Sequence, residues 1–259
     1  MQNSLYVGAT GMAAQQTYLD AIANNLANVN TPAYKKTRVS FQDIYLGAFE
    51  QPGAAGAGSD LQRPSGAGAV ALSLGKQFST GQLKKTDVPT DLAINGDGLV
   101  ELVMPDGSTA YTRSLSLQVT RDGLLANADG YPLHQQVQVP LDATAMQVDA
   151  TGKVTVSLPG EKTPVEAGQI ELVRFVNPAG LASIGESLYG GSDRAGDALR
   201  GKAGDAGFGT LSQGYIEASN VQMVEEMVGL TLAQRAYEVN AKVIQASDEM
   251  LGIVNGLRR

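Results

Sequence analysis

Gly96-Asp97-Gly98 is the stretch whose residue types come closest to a ligand-binding loop. A phosphate cradle of that kind needs a Gly-Lys-Ser/Thr continuation that opens a helix. Neither follows here, so the tripeptide is expected to be a turn. His134 is the single histidine, and there is no cysteine. A histidine-based metal cluster and a Ser-His-Asp triad therefore lack parts, and thiol catalysis and disulfides are excluded. His134 is expected at the surface. Glu225 and Glu226 are neighbours, so on a helix they diverge and cannot share a substrate; near a helix start they complement its positive end. Arg235, with Tyr237 and Glu238, is the one polar group read as functional. On a bundle helix an arginine can grip carbonyls or carboxylates of a neighbour in a fixed geometry. The other reading is a solvated stripe whose Arg235–Glu238 pair adds a few tenths of a kcal/mol. No catalytic, metal or cofactor-binding residues are expected.

The stretch that carries this group, from Ser219 to Arg259, has no proline. Leu230, Tyr237, Ile244 and Leu251 recur every seven residues. A second row, Leu232, Ala236, Val239, Val243, Ala246 and Met250, runs beside them, leaving a narrow polar stripe of Arg235, Glu238, Lys242, Gln245 and Glu249. A helix apolar over most of its girth needs partners on several sides. Ser219 with Gln222 fits a capping box at its start. At the other end of the chain, Leu5, Met12, Leu19 and Leu26 also recur every seven residues, with Ile22 and Val29 completing the seam. Residues 4 to 30 read as that helix, ended by Asn24-Asn25-Leu26-Ala27-Asn28-Val29-Asn30-Thr31-Pro32. The asparagines Asn24, Asn25, Asn28 and Asn30 are costly in a helix, which predicts that their amides bond something specific. Two amphipathic helices packed on one globular domain would give the same periodicity.

With 259 residues the chain can bury a sizeable core. The net charge of −7 comes without a lysine/arginine cluster, so nucleic acid is not expected as a partner. No segment reaches the ~20 apolar residues that span a bilayer. The first residues lack the basic and apolar runs of a secretory signal peptide. Residues 36 to 50 read as an extended or short helical connection. Residues 51 to 69, rich in glycine, alanine, proline and serine, read as a loop or linker. From about Val70 to Leu211 the pattern is β: Asp-Gly pairs at 97–98, 106–107, 122–123 and 129–130 mark turns between short apolar runs. Met146 and Val148 alternate across Asp149-Ala150-Thr151-Gly152 with Val154 and Val156, as two antiparallel strands would. Such short strands favour a β-sandwich or open barrel over a parallel sheet.

Ala23-Asn24-Asn25-Leu26-Ala27-Asn28-Val29-Asn30-Thr31, followed by Tyr34-Lys35, resembles the N-terminal signature of the bacterial flagellar rod and hook proteins. Ser219-Asn220-Val221, Glu225-Glu226-Met227-Val228, Gln234-Arg235-Ala236-Tyr237-Glu238-Val239-Asn240 and Asp248-Glu249-Met250-Leu251 resemble that family's C-terminal end. Leu92 to Gly98, Tyr111-Thr112-Arg113, Gly180-Leu181, Gly185 and Leu188-Tyr189 resemble its middle domain. Ala33 stands where the family usually has glycine, and Leu99-Val100 where paired aromatics are usual. The Gly/Ala-rich insertion after the first helix resembles the distal rod subunits of the family.

The resemblance implies an α+β fold, with N- and C-terminal α-helices forming a coiled-coil domain around a mainly antiparallel β middle domain. The expected boundaries are 1–32 (first helix), 33–74 (connecting segment with the insertion), 75–211 (β-rich outer domain) and 212–259 (last helix). It implies a structural axial subunit of the basal-body rod, assembling helically into a hollow, torque-transmitting shaft that spans the periplasm. Implied partners are further copies of the chain, neighbouring rod and hook proteins, the surrounding bushing rings, and the flagellar type III apparatus, which exports such subunits uncleaved. Assembly contacts are expected from Leu5, Met12, Leu19, Ile22, Asn24, Asn25, Leu26, Asn28 and Val29. On the last helix they are expected from Leu230, Leu232, Tyr237, Val239, Val243, Ile244, Met250 and Leu251. The stripe Arg235, Glu238, Lys242, Gln245 and Glu249 is expected to face the channel or a subunit contact. A proximal rod or hook subunit is the nearest alternative. A secreted glycan- or ligand-binding β-domain with helical arms is the alternative of another class.

Overall fold

A computed structural model describes residues 2–45, 66–160 and 163–257. Of the insertion read at residues 51–69, residues 51–65 lie outside the described residues. The chain forms two compact units: one holds residues 1–26, 37–74 and 223–259, the other residues 27–36 and 75–222.

The first unit is built on helices α1 (Gln2–Ala27) and α2 (Met223–Leu257). α1 ends three residues earlier than the periodicity predicts, because Asn28 to Asn30 already form a turn. α2 begins at Met223, so Ser219 is no capping residue; its hydroxyl instead accepts the backbone N–H of Val221 at 3.2 Å. The two helices run antiparallel and close. A Cβ at Gly8 would stand 2.9 Å from Ile244 Cγ1, and one at Gly11 2.9 Å from Asn240 Nδ2. A Cβ at Gly229 would come within 3.2 Å of Tyr18 Oη. Glycines that only weaken an isolated helix here allow the backbones to approach. Strands Thr37–Tyr45 and Gly66–Lys76 form a two-stranded sheet. Phe41 on it meets Tyr18 edge-on at 5.5 Å, and a Cβ at Gly68 would collide with Thr10 Oγ1. Residues 66–69, read as linker, are thus strand.

In the second unit every recorded pairing among the described strands is antiparallel. The largest sheet has four strands, in the order Ala182–Gly185, Leu188–Gly190, Thr109–Thr112, Val100–Val103. Strand Asp91–Asn95 pairs with Thr210–Gln213 on one side and Leu115–Ser116 on the other. Ala145–Val148 and Lys153–Ser157 pair around Asp149-Gly152 with Met146 opposite Val156, as read from the alternation. The sheets have two to four strands each and are joined by isolated bridges such as Leu99–Val173 and Leu102–Leu133. The Asp-Gly turns explain the fragmentation: Gly98, Gly107, Gly123 and Gly130 all take positive φ, which ends each run after a few residues.

The core between these sheets is aliphatic, around Leu92, Ile94, Leu102, Leu125, Leu133 and Ile170. A separate cluster holds the aromatics, with Tyr111 on Phe175 at 4.8 Å and Phe78 on Tyr189 at 4.9 Å. Leu99 and Val100, which replace an expected aromatic pair, are both buried, one in each cluster. Among the described residues no helix is long and apolar enough to cross a membrane.

Candidate functional site: the helix surfaces and a buried charge cluster

On α1, Leu5, Met12, Leu19 and Leu26 are half-buried. The row that meets α2 lies one residue round from them: Gly11, Tyr18 and Asn25, with Gly8 and Ile22 beside it. Asn25 is buried and hydrogen-bonds through both atoms of its amide. Its Oδ1 accepts Thr37 N–H at 2.8 Å, while its Nδ2 donates to Thr37 O at 3.1 Å and to Glu226 Oε2 at 3.2 Å. The amide predicted to bond something specific thus ties α1 to the following strand and to α2. Glu226 is buried beside it, whereas Glu225 is exposed near the positive end of the helix dipole. Asn28 Oδ1 accepts the Thr31 hydroxyl at 3.1 Å, and Asn24 is exposed. Val29 lies beyond the end of α1, half-buried in the second unit.

On α2 the inward row is again small and polar: Glu226, Ala233, Asn240 and Ser247, seven residues apart. Leu230, Ile244 and Leu251 flank it half-buried, with Tyr237 more open. The second apolar row is exposed at Leu232, Val239, Val243 and Met250. Arg235, Glu238, Lys242, Gln245 and Glu249 are exposed as well.

The second unit contains the group that sequence reasoning missed. Lys35 and Glu217 have fully buried side chains, joined Nζ to Oε1 at 2.6 Å. Arg113 Nε donates to the other carboxylate oxygen at 2.7 Å. One carboxylate therefore serves two buried cations, and the remaining hydrogen-bonding groups are satisfied as burial demands. Lys35 Nζ also donates to Ser79 O at 2.7 Å, and Gly81 N–H donates to Glu217 Oε1 at 2.7 Å. The Arg113 guanidinium reaches the carbonyls of Gly96, Ile94 and Gly98 at 2.8, 3.1 and 3.2 Å. Gly96-Asp97-Gly98 is thus a turn held by an arginine on its carbonyls, the opposite polarity to a phosphate loop.

Burial, with the neighbouring Arg113 charge, lowers the Lys35 ammonium from 10.5 to about 8; Glu217 pulls the other way. Burial likewise pushes the Tyr189 phenol well above its usual range. Between about pH 8 and 10.5 the folded chain binds fewer protons at Lys35 than the unfolded chain. This group's contribution to stability therefore rises with pH across that window, and its burial penalty is present in full below it.

Asn220 makes a second clamp next to the cluster. Its Oδ1 accepts Lys36 N–H at 2.8 Å, and its Nδ2 donates to Gln77 O at 2.7 Å and Ser79 Oγ at 2.9 Å. Lys35 and Asn220 belong to the two quoted end motifs, which was the available signal. Arg113 belongs to the quoted middle-domain motif Tyr111-Thr112-Arg113, and Glu217 lies outside every quoted motif. His134 is exposed, as expected.

Ala33 takes φ +55° and donates its N–H to Glu217 O at 2.8 Å. A left-handed non-glycine residue costs ~1–2 kcal/mol. Glycine there would forfeit ~0.8 kcal/mol of methyl burial and ~0.4–1 kcal/mol through the freer unfolded chain. Ala33→Gly is therefore expected to fall within ~1 kcal/mol of neutral in urea unfolding. A loss above ~2 kcal/mol would contradict the balance.

Three family profiles match the chain. One described as "Flagella basal body rod protein" covers residues 5–35. "Flagellar hook protein FlgE/F/G D1 domain" covers 93–156, and "Flagellar basal body rod FlgEFG protein C-terminal" covers 212–257. The chain is 39% identical over 264 residues to flagellar basal-body rod protein FlgG of Borreliella burgdorferi, with all of both chains aligned. It is 39% identical to FlgG of Caulobacter vibrioides, over 98% of this chain and 99% of that one. With FlgG of Bacillus subtilis it shares 37% identity over the full length of both. The relatives align along the whole length, and the chain belongs to the flagellar basal-body rod protein family, as a structural subunit and not an enzyme.

Proposed function

We propose that the chain is an axial subunit of the distal rod, which self-assembles helically into a hollow, torque-transmitting shaft. The observation that carries this is the apolar row of α2, with Leu232 62%, Val239 58%, Val243 43% and Met250 51% exposed. Covering the open half of four such side chains yields roughly 3–6 kcal/mol. A single pairwise association costs ~4–15 kcal/mol, so one neighbour is not enough. A lattice in which each subunit touches several others meets that cost, and a heterologous contact that does not close generates such a helix.

In this reading residues 1–32 and 212–259 are the coiled-coil domain, 33–74 the connecting segment and 75–211 the outer β domain. The antiparallel seam within the first unit and the seven-residue rows on both helices support the coiled-coil pairing. α2 lies innermost, with Arg235, Glu238, Lys242, Gln245 and Glu249 along the channel. Mixed charge suits such a wall, because a lining of one sign would hold oppositely charged passing chains. Neighbouring rod and hook proteins, the bushing rings and the type III export apparatus are its partners, and its place is the periplasm-spanning rod, reached without signal-peptide cleavage.

Electron cryomicroscopy of the purified chain at rising concentration tests this. Helical tubes with Lys242 and Glu249 lining the lumen are expected. A protein that stays monomeric at every concentration, or tubes with both residues on the outer surface, would overturn the assignment.

A further inference from the structure

The places where the chain enters and leaves the second unit are tied to one another. That unit holds residues 27–36 and 75–222, so the chain crosses its boundary before 27, after 36, before 75 and after 222. Segments 33–36, 77–81 and 217–220 lie just inside the last three of those crossings. The Glu217 carboxylate bonds Lys35 and the Gly81 N–H, and its backbone carbonyl accepts the Ala33 N–H at 2.8 Å. Asn220 joins the same segments a second time, through the Lys36 N–H and the Gln77 carbonyl. Gln77 N–H in turn donates to Lys36 O at 2.9 Å. Gly81 allows this close approach, since a Cβ there would collide with Ala218 O. Arg113 anchors the group to the body of the unit through the carbonyls of Ile94 and Gly96. By contrast, the Glu101 carboxylate, buried as completely, meets Arg200 alone among the described residues and touches no crossing.

Net stability does not explain a buried ion group at this spot, because apolar packing of the same volume serves stability as well or better. What such a group resists is separation: pulling one partner away strands the other charge in an apolar interior. Strands Leu83–Lys85 and Tyr215–Glu217 are antiparallel, with Leu83 opposite Glu217. The chain therefore enters one and leaves the other at the same end, and that end is where the cluster sits. A pull arriving along either segment meets the ion group before it meets the strand ladders. We propose that Glu217 and Asn220 form a mechanical clamp, through which force carried along the chain enters the second unit at three segments together. Its purpose rests on the torque-transmitting reading above. Force on one segment is shared with the other two, and Arg113 passes it to the turn that follows Asp91–Asn95.

The chain has no cysteine, so thiol-linked handles can be placed where they are wanted. Full-length chain carrying Gln222→Cys and Leu141→Cys, both at exposed positions, is held at constant force in optical tweezers, and the lifetime of the folded second unit is read. Force then enters through the last crossing. A second pair of handles, Leu141→Cys with Ser183→Cys, encloses none of the clamp residues along the chain. Glu217→Gln is expected to shorten the lifetime under force, by a factor at least ~tenfold larger with the first pair of handles than with the second. Asn220→Ala strands no charge and should show the same preference at ~threefold or more. Should Glu217→Gln fail to fold, Asn220→Ala decides alone. Equal factors in the two geometries would mark an ordinary stabilising cluster and overturn the clamp, as would lifetimes unchanged by either substitution with handles at 141 and 222. Absence of filaments from the wild-type chain would overturn the assembly reading and not these lifetimes, so the two failures are told apart.

Discussion

Glu217→Gln is expected to destabilise the second unit by ~3–5 kcal/mol, the range seen when one partner of a buried ion group is removed. The carboxylate it removes is the common acceptor for Lys35 at 2.6 Å and Arg113 at 2.7 Å. Both cations would remain buried around a neutral amide. Arg113 keeps its three carbonyl acceptors, whereas Lys35 keeps only Ser79 O. The loss should depend on pH with a defined sign. Lys35 already titrates near 8 in the intact cluster, and without Glu217, which raises it, it deprotonates earlier. At pH 6 the intact cluster keeps its Lys35–Glu217 attraction and the variant does not; at pH 9 the amine is largely neutral in both. The difference in unfolding free energy is therefore larger at pH 6 than at pH 9. Urea unfolding at the two pH values measures it. A loss under ~1 kcal/mol, or one equal at both pH values, would mean that the cluster is not an ionised triad. Adding Lys35→Met to Glu217→Gln should recover part of the pH 6 loss, because it removes one of the two stranded charges.

That cluster was invisible in the sequence for a simple reason. Its members are 182 and 104 positions apart, and charge has no periodicity to betray burial. Lys35 reads as an ordinary surface lysine beside Tyr34 until the fold brings Glu217 to it. The helices are legible because apolar spacing survives in one dimension, and of the residues expected at contacts Ile22, Asn25 and Ile244 lie on the α1–α2 seam. Gly8, Gly11 and Tyr18 share that seam, and the apolar rows pass over them. Size was scored as burial, although close helix approach needs small residues and a buried amide can answer a buried carboxylate. The strand pair around Asp149-Gly152 was readable to the residue because its register is local and its turn fixes it. The breakup into small sheets was not, since it depends on where each positive-φ glycine sends the chain next.

Val243→Glu is expected to abolish assembly while leaving the free subunit folded. Val243 is 43% exposed in the single chain, so a glutamate there can reach water, and glutamate is the better helix former. The bond from Ser247 Oγ to the Val243 backbone carbonyl at 2.8 Å does not depend on the side chain. Far-ultraviolet circular dichroism and the urea midpoint of the monomer should therefore match the wild type within ~0.5 kcal/mol. In a filament the same position must be buried against a neighbour at every subunit. There the substitution forfeits the valine's burial and leaves a charge to be desolvated without a partner, several kcal/mol per contact. A repeated contact of that size leaves no concentration at which filaments compete with monomer. Two comparisons keep the result specific to this face. Glu238→Ala, on the polar stripe, should assemble nearly as well as the wild type. Ile244→Asp, one residue away but set against Gly8 on the seam, should already lower the helical content of the monomer. Sedimentation and negative-stain imaging, together with the swimming of cells that carry the variant as their only copy, read the outcome. Normal filaments from Val243→Glu would show that the exposed row of α2 is not an assembly surface, whatever else holds the rod together.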